Sequence, residues 1–221
     1  MTTRMTQDPS QERWHAVYAS DALSRRRKKT HLEKLKKLGF FALPRSARIL
    51  DIACGEGEML DLMAEQGFTD LTGIDPFAPS KLKDKPWRFV QGAAAELPFA
   101  AGDLDVILCA HSLHHFSGND EIRGFLSEAA RVLSPTGRLY VIDHYDSPQL
   151  SLAHAFLMSP FAKLGAWTSA FHDQLCNERE ELESYMKRYR VIRRIVREAP
   201  FPVQKWRRDL FFFYFEGRKS P

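Results

Sequence analysis

Asp51 and Asp75 each close a short apolar run, and they stand 24 residues apart. Around the first of them, ILDIACGEGEML (Ile49 to Leu60) carries a Gly-x-Gly turn at Gly55 and Gly57. A strand, a glycine turn and a helix form a place where a ligand can come close to the backbone. A carboxylate ending the next strand can accept hydrogen bonds from both hydroxyls of a ribose. Further along, His111, His114, His115 and His144 fall near the ends of two more apolar runs. Imidazoles are suited to moving a proton near neutral pH.

Two ligand classes use such a turn. A dinucleotide sets its pyrophosphate on the helix N-terminus and needs Gly-x-Gly-x-x-Gly. Here the third glycine position is Leu60, and Glu56 and Glu58 would repel a pyrophosphate. S-adenosylmethionine has no phosphate. It carries a sulfonium and an ammonium against one carboxylate, and an acidic turn suits that net cation. Gly55 and Gly57 alone are explained by an ordinary tight turn. The cofactor reading rests on them together with Asp51, Asp75 and the periodic strands.

These residues need a scaffold that brings them to one edge. Apolar runs at residues 48–53, 71–75, 87–92, 104–111 and 138–143 read as strands. Helical spacing covers residues 11–38, with Trp14, Val17, Tyr18 and Leu23 on one stripe, and residues 58–66. A further helix over 119–133 is expected to be capped by Asn119 and to end at Ser134-Pro135. Residues 173–188 read as an acidic-then-basic helix. Residues 190–196 and 209–217 read as two closing strands around a linker with Pro200 and Pro202. Strand–helix alternation predicts an α/β fold, a doubly wound and mostly parallel sheet. Ligands of such sheets sit beyond the carboxyl ends of the strands. Asp51, Asp75, His111 and Asp143 lie at or near such ends.

LDIACGEGEML, LTGID, FVQGAAAELPFAAGDLDVILCAHSLHHF and EAARVLSPTGRLYVID resemble, in order, the motifs of class I S-adenosylmethionine-dependent methyltransferases. The resemblance covers roughly residues 46–145. It is greatest to the branch with the quinone-biosynthesis C-methyltransferases and many small-molecule methyltransferases. It implies a Rossmann-like seven-stranded sheet whose last strand inserts antiparallel. By that similarity Asp51 holds the methionine end, and Ala53, Gly55 and Gly57 bring backbone against it. Asp75 takes the ribose, with Pro76 or Phe77 beside the adenine. The Gly92–Ala94 loop, including Ala93, faces the adenine edge, and Ala110 and His111 lie near the sulfonium. Two positions depart from the pattern: Ala53 stands where glycine is frequent, and Ala93 where an Asp often accepts from the adenine amino group.

Methyl transfer is an in-line displacement, so the protein must position the nucleophile and remove any proton it carries. His111 and His144 are the expected catalytic bases, with Tyr145, Asp143 and Tyr18 as further candidates. Residues 147–176, with Phe156, Met158, Phe161, Trp167, Phe171 and His172, are expected to form the acceptor pocket or its lid. An apolar lid favours a hydrophobic or aromatic small molecule.

The chain has 221 residues, 44% of them hydrophobic and 27% charged. That suits one domain with a small cap. The expected division is an N-terminal helical lid (1–44), a cofactor-binding core (45–146), a cap (147–188) and closing strands (189–221). Its three cysteines form no Cys-x-x-Cys pair, so no disulfide framework and no metal site are expected. A reducing, cytoplasmic setting follows, with neither a signal peptide nor a transmembrane segment. Residues 24–38 hold eight Lys/Arg and one Glu, and residues 187–219 hold eleven Lys/Arg and three acids. Lys34, Lys36 and Lys37 interleave with Leu32, Leu35 and Leu38, as on a solvated amphipathic helix. No specific nucleic-acid partner is therefore expected. The competing readings are an RNA or protein methyltransferase that uses the basic ends, and a non-catalytic cofactor-binding partner subunit. The acceptor and the oligomeric state stay open.

Overall fold

The computed structural model describes residues 21–79, 82–164, 168, 169, 172, 175, 176 and 178–219. Trp14, Val17, Tyr18, Trp167 and Phe171 lie outside the described residues. The chain runs α1 (Asp21–Lys37), β1 (Arg48–Ile52), α2 (Glu58–Glu65), β2 (Asp70–Asp75), β3 (Arg88–Gln91) and β4 (Leu104–Ala110). It continues through a 3-10 turn (Leu113–His115), α3 (Asn119–Val132), β5 (Leu133–His144) and α4 (Pro148–Leu157). It closes with α5 (Arg179–Arg197), β6 (Val203–Arg208) and β7 (Phe212–Arg218).

The seven strands form one sheet in the order β3-β2-β1-β4-β5-β7-β6. β1 to β5 pair in parallel, while β7 runs antiparallel to both β5 and β6. This is the expected doubly wound sheet with its antiparallel last strand. The direction of winding reverses between β1 and β4, and such a switch point opens a crevice at the carboxyl ends of the strands.

Alternate residues of each strand face opposite layers. Leu50, Ile52 and Ile107 meet Phe125 of α3 and Tyr185 and Ile192 of α5. Ile49 and Leu108 meet Leu35 of α1 and Leu60 and Met63 of α2. No helix among the described residues is long and apolar enough to cross a membrane.

Several expectations need correcting. RVIRRIV (190–196) is not a strand but the end of α5. Its β-branched residues mimic a strand locally. Over a longer window Leu182, Tyr185, Tyr189, Ile192, Ile195 and Val196 are buried at helical spacing. α5 packs into the core and crosses the expected cap boundary at 188. The expected linker holds β6, an edge strand whose residues are mostly exposed. Gly118, not Asn119, stands at the N-cap of α3, and β5 begins at Leu133, before the Ser-Pro pair.

Candidate functional site

The chain leaves β1 through a turn with three left-handed residues, Ala53 (φ 53°), Gly55 (φ 51°) and Gly57 (φ 78°). The Cys54 N–H donates to the Ile74 carbonyl at 3.1 Å, and the Gly57 N–H to the Cys54 carbonyl at 2.9 Å. Gly57 is required by its φ and by space, since a Cβ there would stand 2.1 Å from Trp87 Cζ2. The Trp87 indole is fixed by Nε1 donating to Asp61 at 2.8 Å. A Cβ on Gly55 would meet nothing within 4 Å, so open space lies over the middle of the turn. Gly57→Ala should therefore destabilise the fold by about 2–3 kcal/mol, from strain and overpacking. Gly55→Ala should cost only about 1 kcal/mol, from strain alone. Thermal unfolding of the two variants checks the difference.

Two carboxylates face this turn. Asp51 is 3% exposed, and burial, then the like charge of Asp75, pushes its pKa up to about 8. Asp75 accepts from the Gly55 N–H at 3.0 Å and from the Phe77 N–H at 2.9 Å. Burial raises its pKa although both amides pull it down. An ionised carboxylate has about four lone-pair sites, so two amides leave acceptor capacity. Glu58 behaves otherwise than expected. It turns to Arg27 at 2.9 Å, so its charge is already paired within the protein.

The other expected cofactor residues line the same edge. The Pro76 carbonyl accepts from Gln91 Nε2 at 2.9 Å, and the Gly92 N–H donates to the Asp75 carbonyl at 3.1 Å. The Ala93 carbonyl accepts from the Glu96 N–H, and Ala94 packs against the core. Ala110 ends β4. The Ser112 hydroxyl lies 3.0 Å from the Ala110 carbonyl and 3.5 Å from that of Ala53, joining the two strand ends.

α1 lies across this edge. Arg27 reaches Glu58, Lys34 Nζ sits 2.7 Å from His111 Nε2, and Lys37 meets Asp209 at 2.6 Å. Lys34 is not on a solvated face. It is 6% exposed, with Nζ 3.6 Å from the centre of the Phe212 ring. Burial pushes its pKa down to about 7, against the pull of Asp209 and Asp143.

His111 has φ 59° and donates its N–H to the Ile142 carbonyl at 2.8 Å. Burial, then the Lys34 charge, holds its imidazole well below the usual pKa. The His144 ring lies 6.1 Å from that of His111, and burial takes its pKa down to about 4. Both expected bases are therefore neutral at pH 7. Lys34 and Asp51 titrate near there, and of the two sequence reasoning missed Lys34. The signal was the spacing of Arg27, His31 and Lys34, which lie on one face of α1. Tyr145 is engaged elsewhere, its hydroxyl donating to the Asp209 carbonyl at 2.8 Å.

His114 turns into the protein. Its Nδ1 lies 2.8 Å from Asp143 Oδ1, and its N–H donates to Asp143 Oδ2 at 3.1 Å. Asp143 is fully buried. Burial opposes both charges, but their attraction outweighs it. The His114 pKa is raised to about 10 and that of Asp143 lowered to about 2.

Residues 50–141, from β1 into β5, match the family model described as a methyltransferase domain. This region is a methyltransferase domain. The methyltransferase domain is similar to that of YqeM of Bacillus subtilis (strain 168), a methyltransferase by assignment only. Identity is 35% over 129 residues, 55% of this chain and 51% of YqeM. The demethylmenaquinone methyltransferase of Tropheryma whipplei (strain Twist) is 30% identical over 148 residues, 60% of this chain and 59% of that one. The chain thus spans about half the length of the curated relatives it matches. A crystal structure from Methanococcus maripaludis, assigned as an S-adenosyl-L-methionine-dependent methyltransferase, shares the fold. Its TM-score is 0.65 at 14% identity, covering 100% of this chain and 98% of that one.

Proposed function

We propose that this chain transfers the methyl group of S-adenosylmethionine to a small, hydrophobic or aromatic acceptor. The observation that carries the reading is the buried, uncompensated Asp51 beside open space over Gly55, with Asp75 across the turn. A buried carboxylate whose pKa is raised by burial and by a like charge is stabilised by a cation, and the cofactor's ammonium is one. S-adenosylmethionine supplies the activated methyl group. Asp51 would hold the amino-acid end, and Asp75 would add ribose hydroxyls to its two backbone donors. The adenine would lie along Pro76, Ala93 and Ala94, and Ala110 and His111 would border the reacting end.

His111 is our choice of base. Its Nδ1 can take a proton from the acceptor while Nε2 passes its own to neutral Lys34, which leaves imidazole neutral and the amine charged. His144 shapes the same wall. α1 serves as a lid over the cofactor.

An apolar acceptor fits the exposed Leu152, Phe156 and Phe161 around α4, and it fits a relative named for a quinone precursor. The alternative, an RNA acceptor, finds less support. Lys28, Lys36 and Lys37 pair with Glu65, Glu33 and Asp209, while Arg207 donates to the Lys37 carbonyl and Lys219 to that of Leu133. These five basic residues are held by the fold itself.

Calorimetry should show S-adenosylmethionine or S-adenosylhomocysteine binding in the micromolar range, near about −8 kcal/mol, with no competition from NAD. Asp75→Ala should weaken binding by about 1.5–3 kcal/mol and Asp75→Asn by less, because a charged acceptor is lost. Unchanged affinity in both variants would place Asp75 outside the site. Labelled methyl transfer to RNA, with none to aromatic or quinone-like molecules, would overturn the acceptor class.

A further inference from the structure

We propose that His114, His115 and Glu178 form a binding site for a divalent first-row metal ion of the zinc type, with Asp143 orienting His114 from behind. One ligand atom from each of the three lies within 4.8 Å of the others. His114 and Glu178 are buried, and His115 is half-buried. His114 Nε2 and Glu178 Oε2 stand 3.8 Å apart, too far for a hydrogen bond. Two ligands each about 2 Å from one ion are roughly 3.3 Å apart in a tetrahedral arrangement. A closure of about half an ångström therefore converts the pair into ligands.

The hydrogen bond behind the site sets its chemistry. His114 Nδ1 is held by Asp143 at 2.8 Å, which turns Nε2 towards Glu178. A carboxylate behind a histidine is the arrangement that fixes a metal-binding imidazole in its tautomer and raises its basicity. Two imidazoles and one carboxylate suit zinc rather than calcium or magnesium, and three protein ligands leave a position for water.

A second grouping, His114, Asp143 and His144, is geometrically close. Its His114–Asp143 distance of 2.8 Å is that of a hydrogen bond, so a proton rather than an ion lies between them. The cluster escaped the sequence reading because that reading looked for Cys-x-x-Cys, whereas these ligands come from the turn after β4 and the start of α5. An ion here would fasten the entry to α5 against the sheet edge.

The test is metal content and affinity of the whole chain, stripped with chelator, loaded with zinc and dialysed. One equivalent of zinc is expected. X-ray absorption of the loaded protein should show imidazole and oxygen ligands only. Glu178→Gln and His115→Ala, checked for folding by circular dichroism, should each weaken zinc binding at least 10-fold. Asp143→Asn should weaken it by about 10–100-fold, the usual effect of losing the carboxylate behind a ligand. His144→Ala should retain the metal. The proposal is overturned by no stoichiometric zinc in the folded parent chain or by sulfur among the ligands. Unchanged affinity in both Glu178→Gln and His115→Ala, or loss confined to His144→Ala, overturns it equally. None of these measurements uses methyl transfer, so they stand or fall apart from the proposed function.

Discussion

Asp143→Ala should unfold with about 3–5 kcal/mol less free energy than the parent chain, the range for removing one partner of a buried ion pair. The carboxylate has no exposed surface. It accepts from the His114 backbone at 3.1 Å and the His144 backbone at 2.7 Å, and it holds the His114 ring at 2.8 Å. Alanine leaves two amides and a charged imidazole buried without an acceptor, and water replaces a buried partner poorly. Asp143→Asn keeps the volume and some hydrogen bonds and should lose less. Urea unfolding followed by circular dichroism checks both. A midpoint for Asp143→Ala equal to that of the parent would mean that the edge around β5 tolerates a cavity it shows no means of filling.

The second large effect concerns proton transfer. His111→Ala should lower the methylation rate about 10²-fold or more, the scale of losing a positioned base. The affinity for S-adenosylhomocysteine should change little. In the parent chain the rate should rise with pH through about 7, as Lys34 gives up its proton and can receive one from His111. Lys34→Met should flatten that limb, and Lys34→Arg should fix the enzyme in its slow, low-pH form. Stability carries the same signature. The unfolded chain holds the Lys34 proton until near the ordinary lysine value of 10.5, whereas the folded chain releases it near 7. Between those values the unfolded state binds more protons, so Lys34 makes stability rise with pH across the window, and below 7 the buried charge opposes folding. Lys34→Met should remove that slope. A limb that survives in Lys34→Met would move the titration to another group.

The parts of the site legible in the sequence were those where the backbone itself makes the demand. Gly57 has no alternative where φ is 78° and Trp87 closes the space, and Asp51 and Asp75 end strands that could be counted. Lys34 was illegible because its burial is set by where α1 lands, next to Phe212 of β7, far along the chain. His114 looked like one imidazole among four, since its partners Asp143 and Glu178 arrive from other elements. RVIRRIV was misread because a short β-branched run satisfies both periods, and only the longer window, back to Leu182, separates them. β6 was missed for the opposite reason. As an edge strand with alternately exposed, basic side chains, VQKWRR has little apolar signature.

The position of β7 has a consequence for how the molecule can be made. Phe213, Tyr214 and Phe215 are buried because β7 lies inside the sheet, between β5 and β6, not at its rim. A chain emerging from the ribosome can assemble β1 to β5 as they appear, since each finds a parallel neighbour already present. β5 then waits with one bare edge, and β6 has no strand to join, until residues 212–218 have left the exit tunnel. During synthesis the open edge of β5 is a template for the wrong strand, including that of a neighbouring chain. Closing the sheet is thus a late, single event, in which β7 adds both of its ladders together.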